Sequence, residues 1–183
     1  VRTWDRVGGT RLGTSRTNPY AMGKETWPQV VANYRELGLE ALIAIGSGHT
    51  LAVTARLVRE EGLNIICIPK TIDRDLKGTD YSLGFETAVG VIVEEIDRIR
   101  TTAHSHSRTF IIETMGRVTG HLALSGGLAA GADVILIPEF PFSTERVVEL
   151  LKAKREAGQR YAIVVVSEGA KEAADSKTED GKG

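Results

Sequence analysis

ALIAIGSGHTLAVTARLVREEGLNIICIP, residues 41–69, is two apolar runs separated by one amphipathic segment. The first run, Ala41–Ile45, is short enough for a strand and stops at Gly46-Ser47-Gly48. A helical pattern follows from about Thr50 to Glu61, and Gly62 closes it. The second run, Asn64–Ile68, ends at Pro69. Both runs are continuous rather than alternating, which is how strands covered on both faces read. Two such strands joined by a helical crossover are parallel, so the stretch predicts a β-α-β unit.

The same rhythm extends outward. Lys24–Leu37 reads as a helix, with Trp27, Val30, Val31, Tyr34 and Leu37 on one stripe, Pro28 in its first turn and Gly38 at its end. Phe85–Thr102 is a long amphipathic helix, Thr109–Thr114 a strand, Gly120–Ala130 a helix of small residues and Val134–Ile137 a strand. Ser143 caps a helix running to about Ala157, and Tyr161–Val166 is the last strand. The alternation predicts an α/β chain, doubly wound, with mostly parallel sheets and helices on both faces. The final segment, KEAADSKTEDGKG (171–183), lacks large apolar residues and is expected to be a disordered tail or a cut end.

The bulk composition narrows the function classes. The 183 residues carry 23 Lys+Arg against 24 Asp+Glu, a near balance that gives no footprint for nucleic acid or an acidic membrane. No apolar run is long enough to span a bilayer and no signal-peptide pattern opens the chain, so a cytoplasmic protein is expected. The single cysteine, Cys67, lies between Ile66 and Ile68 and reads as a buried small hydrophobe, which excludes a disulfide framework and a cysteine metal site.

In open parallel sheets, ligands bind beyond the carboxyl ends of the strands. The five predicted strands are followed by GSGHT, PKTIDRD, ETMGR, PEFPFS and SEGA. Glycines, carboxylates and arginines recur there, and together they would make a polar cleft. Gly46-Ser47-Gly48 before a helix can cradle phosphate on free backbone N–H groups, although any strand-to-helix turn favours glycine. Asp73 and Asp75 are spaced to share one side of an extended segment, where they can serve as metal ligand and general base. Taken alone, a solvated loop with an Arg74 ion pair is the better explanation of them. Lys70 and Thr71 offer a cation and a hydroxyl to phosphate. Arg117, after Gly116, can clamp a phosphate with two hydrogen bonds or can be a plain surface arginine. His104 and His106 have no third ligand nearby and read as a helix-terminal pair. Glu139 and Glu168 each follow a strand, as caps or as ligands to sugar hydroxyls, and Met115 reads as packing.

PKTIDRDLKGTDYSLGFETA (69–88) resembles the PKTIDND…GTD…GF-TA signature of the phosphofructokinase family, and SHSRTFIIETMGRVTGHLAL (105–124) resembles its SH-R…E-MGR–G-LAL segment. LGTSR, ALIAIGSGHT and VSEGA fall in the family's order, so the resemblance covers about Gly8 to Ala170. It implies two Rossmann-like lobes, with residues 1–84 part of the phosphoryl-donor lobe and 85–170 the sugar-phosphate lobe. The implied activity is phosphoryl transfer to the 1-hydroxyl of fructose 6-phosphate, from ATP or pyrophosphate, with Mg²⁺. Asp73 matches the aspartate that deprotonates the sugar hydroxyl, Asp75 the one that supports Mg²⁺, and Thr71 a contact to the phosphoryl group. Arg16, Gly46, Ser47, Gly48, His49, Thr50 and Lys70 match donor-binding positions. Met115, Gly116 and Arg117 match the sugar-phosphate loop, and Glu168 a carboxylate that holds sugar hydroxyls. Arg108 matches an arginine offered to a neighbouring subunit, which implies a homo-oligomer with shared sites.

The chain also departs from the family pattern. The family's GGD[GD][ST] is GSGHT here, so Gly48 stands where an aspartate would engage Mg²⁺. Arg74 replaces an asparagine; depending on its direction it lowers the pKa of Asp73 or pairs with Asp75. His49 stands where ATP users have glycine and pyrophosphate users aspartate; with Lys70 it favours pyrophosphate. The family's opening glycine-rich loop and its later sugar-phosphate contacts are not matched, so a middle fragment is expected. A non-catalytic sugar-phosphate-binding or regulatory subunit is the alternative reading.

Overall fold

The computed structural model describes residues 3–11, 13–15, 17–23 and 25–173. After a 3-10 turn at Trp4–Arg6, the elements are α1 (Trp27–Glu36), β1 (Leu42–Gly46), α2 (Gly48–Glu61), β2 (Ile65–Thr71), β3 (Leu83–Gly84), α3 (Phe85–His106), β4 (Thr109–Thr114), α4 (His121–Ala129), β5 (Val134–Leu136), α5 (Thr144–Glu156) and β6 (Ala162–Ser167). The chain divides into two compact units, Val1–Ile45 with His49–Ile68, and Gly46–Gly48 with Pro69–Gly183.

The first unit buries Val31 of α1, Leu57 of α2 and Leu63, with Trp27, Tyr34, Val53 and Ile65 packed around them. Tyr20 stacks on Trp27 at 5.9 Å and lies under the Arg56 guanidinium at 3.9 Å. The β1–β2 edge is not covered as the apolar runs predict. Ile43, Ile45 and Ile66 are 61%, 56% and 60% exposed, and Cys67 is exposed rather than buried. Successive residues of a strand face opposite ways, so the exposure of both Ile66 and Cys67 shows that neither face of β2 is fully covered at that point among the described residues.

In the second unit β2 does not stop at Pro69. It runs on to Thr71, and Lys70 and Thr71 pair in parallel with Leu83 and Gly84 of β3. Proline's fixed φ suits an extended chain, and the β3 partner begins at Lys70, so the missing N–H leaves no gap on that side. The other three-stranded sheet has the order β4-β6-β5 and is parallel throughout, with Thr109–Thr114 registered on Ala162–Ser167. One face carries α3 and α4: Ile96, Ala103 and Ala123 close on Phe110, Ile112, Ile163 and Val165. The small residues of α4 permit this approach, since a Cβ on Gly127 would come within 2.8 Å of Ile135. Ser143 caps α5, its Oγ accepting from the Arg146 N–H at 3.2 Å. Parallel strands with helical crossovers are the predicted α/β class. No described helix is long and apolar enough to cross a membrane.

Element bounds shift by a few residues from the sequence reading. α1 starts at Trp27, and α2 starts at Gly48, placing Gly48 and His49 inside its first turn. α3 continues to His106 because Ser107, in the left-handed region at φ 53°, ends it there. His104 and His106 do occupy its last turn.

Candidate functional site

The ends of β2, β4 and β6 release three loops that meet in the second unit. From β6, the Glu168 N–H donates to the Thr114 carbonyl at 2.9 Å, and the Gly169 N–H to the Gly116 carbonyl at 3.1 Å. Buried Ser167 donates its Oγ–H to that same Gly116 oxygen at 2.5 Å. The Gly116 N–H in turn donates to Glu168 Oε1 at 3.3 Å. Gly116 itself has φ +132°, and a Cβ there would lie 2.5 Å from the Thr119 carbonyl oxygen and 2.6 Å from Ser167 Oγ. Only glycine both adopts that backbone and fits that space.

The third loop is tied on by Thr119, whose hydroxyl donates to the Asp73 carbonyl at 2.9 Å. The Asp73 N–H donates to Thr71 Oγ1 at 3.1 Å, and Ser82 Oγ–H to the Thr71 carbonyl at 2.8 Å. Asp73 is therefore half-buried at the junction of all three strand ends. Burial pushes its carboxyl above the ordinary aspartate range, the Asp75 and Glu168 charges push the same way, and the Thr71 hydrogen bond and Arg117 oppose them. A carboxylate raised by burial and two like charges is a better base than a free aspartate.

Arg117 projects outward, its side chain 86% exposed, with Nε 4.0 Å from Glu168 Oε1. Such a pair contributes little to stability and leaves the guanidinium open to an anion. Arg74 takes neither direction open to it from the sequence. It adopts φ 51° and sets its guanidinium over the Phe85 and Tyr81 rings, at 5.2 and 5.8 Å. Met115 is 58% exposed rather than packed away. Glu139 is a cap: both its oxygens accept from the Gly120 N–H before α4, at 2.8 and 3.1 Å.

The structure thus brings Thr71, Asp73, Asp75, Met115, Gly116, Arg117 and Glu168 to one edge, with exposed Lys70 just before Thr71 at the end of β2. Gly46–Gly48 belongs to the same unit, and a Cβ on Gly48 would lie 3.3 Å from Leu76, the residue after Asp75. His49 and Thr50 follow in the first turn of α2. Arg108 is set apart: it precedes β4, so the full strand, about 20 Å, separates it from Arg117. Arg16 lies outside the described residues. Thr119 and Ser167 lie within stretches read from the sequence but are given no role there, since their partners are 46 and 51 residues away.

Among the described residues no group of three or more His, Cys, Asp or Glu stands ready to hold a metal ion. The available set is the Asp73–Asp75 pair, close enough for one charge to raise the other. That fits Mg²⁺ in its usual phosphoryl-transfer mode, with one or two carboxylates while phosphates and water complete the shell.

A phosphofructokinase family model matches residues 1–181. The pyrophosphate–fructose 6-phosphate 1-phosphotransferase of Amycolatopsis methanolica is 52% identical over 166 residues, 89% of this chain and 47% of the relative. The ATP-dependent 6-phosphofructokinase 1 of Synechocystis is 41% identical over 169 residues, again 47% of its length. The chain therefore spans about half the length of the curated relatives it matches. Among solved structures, phosphofructokinase from Saccharomyces cerevisiae superposes with a TM-score of 0.76 at 33% identity, covering 90% of this chain and 25% of that one. A pyrophosphate-dependent phosphofructokinase from Nitrosospira multiformis gives 0.75 at 25% identity, covering 82% and 42%.

Proposed function

We propose that this chain, which belongs to the phosphofructokinase family, carries the catalytic loops for transferring a phosphoryl group to the 1-hydroxyl of fructose 6-phosphate. The observation that carries the reading is Asp73, half-buried with a raised carboxyl pKa, beside Asp75, Glu168 and Arg117. Asp73 takes the proton of the sugar hydroxyl as its oxygen forms a bond to the donor's terminal phosphorus. The phosphorus–oxygen bond to the leaving phosphate breaks, giving fructose 1,6-bisphosphate and either ADP or orthophosphate. Arg117, free of a tight ion pair, meets the sugar phosphate alongside Met115 and Gly116, and Glu168 accepts from sugar hydroxyls. Thr71, whose oxygen accepts from the Asp73 N–H and whose hydroxyl bears on the Asp73 carboxylate, holds the base beside the transferred group. Mg²⁺, held by Asp75 together with donor phosphates, would neutralise charge developing on the phosphoryl oxygens.

The donor side comprises Gly46, Ser47, Gly48, His49, Thr50, Lys70 and Arg16, and we favour pyrophosphate, because Lys70 and His49 suit a small donor. Residues 1–84 form part of the donor lobe and 85–170 the sugar-phosphate lobe. Arg108, remote from its own chain's Arg117, serves a neighbouring subunit's sugar phosphate in a homo-oligomer working in cytoplasmic glycolysis.

Gly48 supports a second reading, a sugar-phosphate-binding subunit without turnover, because it removes one metal-binding carboxylate. A coupled assay with ATP and with pyrophosphate separates the two. Turnover lost in Asp73→Ala is the expected result; saturable fructose 6-phosphate binding without turnover would favour the binding subunit. Gly48→Asp is accommodated by a small shift of the Leu76 side chain and is expected to tighten Mg²⁺ dependence.

A further inference from the structure

We propose that Thr119 is a positioning residue: its hydroxyl, reaching from the loop after β4 to the Asp73 carbonyl, sets the base-bearing loop in register with the sugar-phosphate loop. The inference rests on the reading of Asp73 as base given above, and it adds a residue that no sequence motif singles out.

Asp73 is held at both backbone groups by hydroxyls. Its N–H donates to Thr71 Oγ1 at 3.1 Å, and its C=O accepts from Thr119 Oγ1 at 2.9 Å. The first tether is local and belongs to the Asp73 loop itself. The second crosses 46 residues of sequence and fixes where the loop stands relative to Arg117 and Glu168. The turn between needs such a hold, because Arg74 follows in the left-handed region at φ 51°, a conformation that a residue with a side chain adopts only at a cost.

The other end of the strut is equally constrained. The Thr119 carbonyl oxygen crowds Gly116, and the Gly116 carbonyl accepts from buried Ser167. Ser167, Gly116, Thr119 and Asp73 therefore form a continuous line of contacts across the ends of β6, β4 and β2. A displacement of the sugar-phosphate loop reaches the base through Thr119. Thr119 thereby sets how far the Asp73 loop stands from Glu168 and Arg117, which belong to the loops it is tied to.

The test compares Thr119→Val, which keeps the shape and removes the hydroxyl, with Thr119→Ser, which keeps the hydroxyl, in the full chain. Loss of a single hydrogen bond corresponds to about a tenfold fall in kcat for Thr119→Val. KM for fructose 6-phosphate is expected to change less than about twofold, and Thr119→Ser to recover most of kcat. Equal losses in both variants, or a wild-type kcat in Thr119→Val, overturn the proposal. A second readout needs no turnover: the Asp73 backbone amide, followed by hydrogen exchange, is expected to exchange about tenfold faster in Thr119→Val and to keep its protection in Thr119→Ser. An unchanged Asp73 amide sinks the positioning role even if the wild-type chain is active. Absence of wild-type turnover with a faster-exchanging amide counts against the phosphotransferase reading alone. If Thr119→Val does not fold, Thr119→Ala is held to the same two readouts.

Discussion

Asp73 acts as a base only when ionised, so the proposed reaction slows as pH falls through its pKa. Burial, then the Asp75 and Glu168 charges, place that pKa above the ordinary aspartate value, while Thr71 and Arg117 pull against them. The two neighbours therefore make opposite predictions. Glu168→Gln removes a raising charge and moves the acid limb of kcat/KM to lower pH; Arg117→Leu removes a lowering charge and moves it to higher pH. Both variants also lose rate, so the limb's midpoint is the readout, and midpoints that stay put in both would exclude Asp73 as the titrating group. Gly116 gives a second prediction. Gly116→Ala combines φ +132° with contacts of 2.5 and 2.6 Å to Thr119 and Ser167, and is expected to cost about 2 kcal/mol or more. Chemical denaturation measures that loss, and turnover should fall with it because Thr119 carries the shift to Asp73.

At the scale of elements, β5, α5 and β6 are locked together by Asp133. Its carboxylate accepts from Lys154 Nζ at 2.6 Å, Gln159 Nε2 at 2.8 Å and the Ile163 N–H at 2.8 Å. Burial alone would raise this carboxyl; the Lys154, Gln159 and Ile163 hydrogen bonds and the Lys154 charge outweigh it and hold the pKa below the ordinary range. A lowered folded-state pKa contributes stability that is complete above the unfolded value, about 3.9, and is lost as pH falls through the folded value. Asp133→Asn should cost about 1–3 kcal/mol at neutral pH. It should also flatten the loss of melting temperature below about pH 4. An unchanged acid-side slope would show that other carboxylates set it. Sequence patterning located nearly every element here, since apolar runs and caps such as Ser143 act over a few residues. It missed β3 and stopped β2 at Pro69, because a two-residue strand has no pattern of its own and pairing with Leu83 and Gly84 carries β2 two residues further.

At the scale of the whole molecule, β4 pairs on one side only among the described residues, and Ile111, on the face of β4 opposite Phe110 and Ile112, is 71% exposed. An open apolar edge of this kind recruits another chain. The chain alone is expected to self-associate at micromolar concentration in sedimentation velocity. Ile111→Lys should shift it toward the monomer while leaving the melting temperature within a few degrees. Association that is indifferent to Ile111→Lys would place the contact elsewhere.

The sequence by itself determined the parallel α/β class, the order of elements and the residues delivered to the strand ends, because hydrophobic runs, glycine turns and helix caps are written within a few neighbouring positions. Only the tertiary structure decided that Arg74 lies on Phe85, that Glu139 is a cap, that Cys67 is exposed and that Thr119 holds Asp73. Each of those outcomes depends on what stands opposite a side chain, and that neighbour comes from a distant part of the chain that local patterning does not reach.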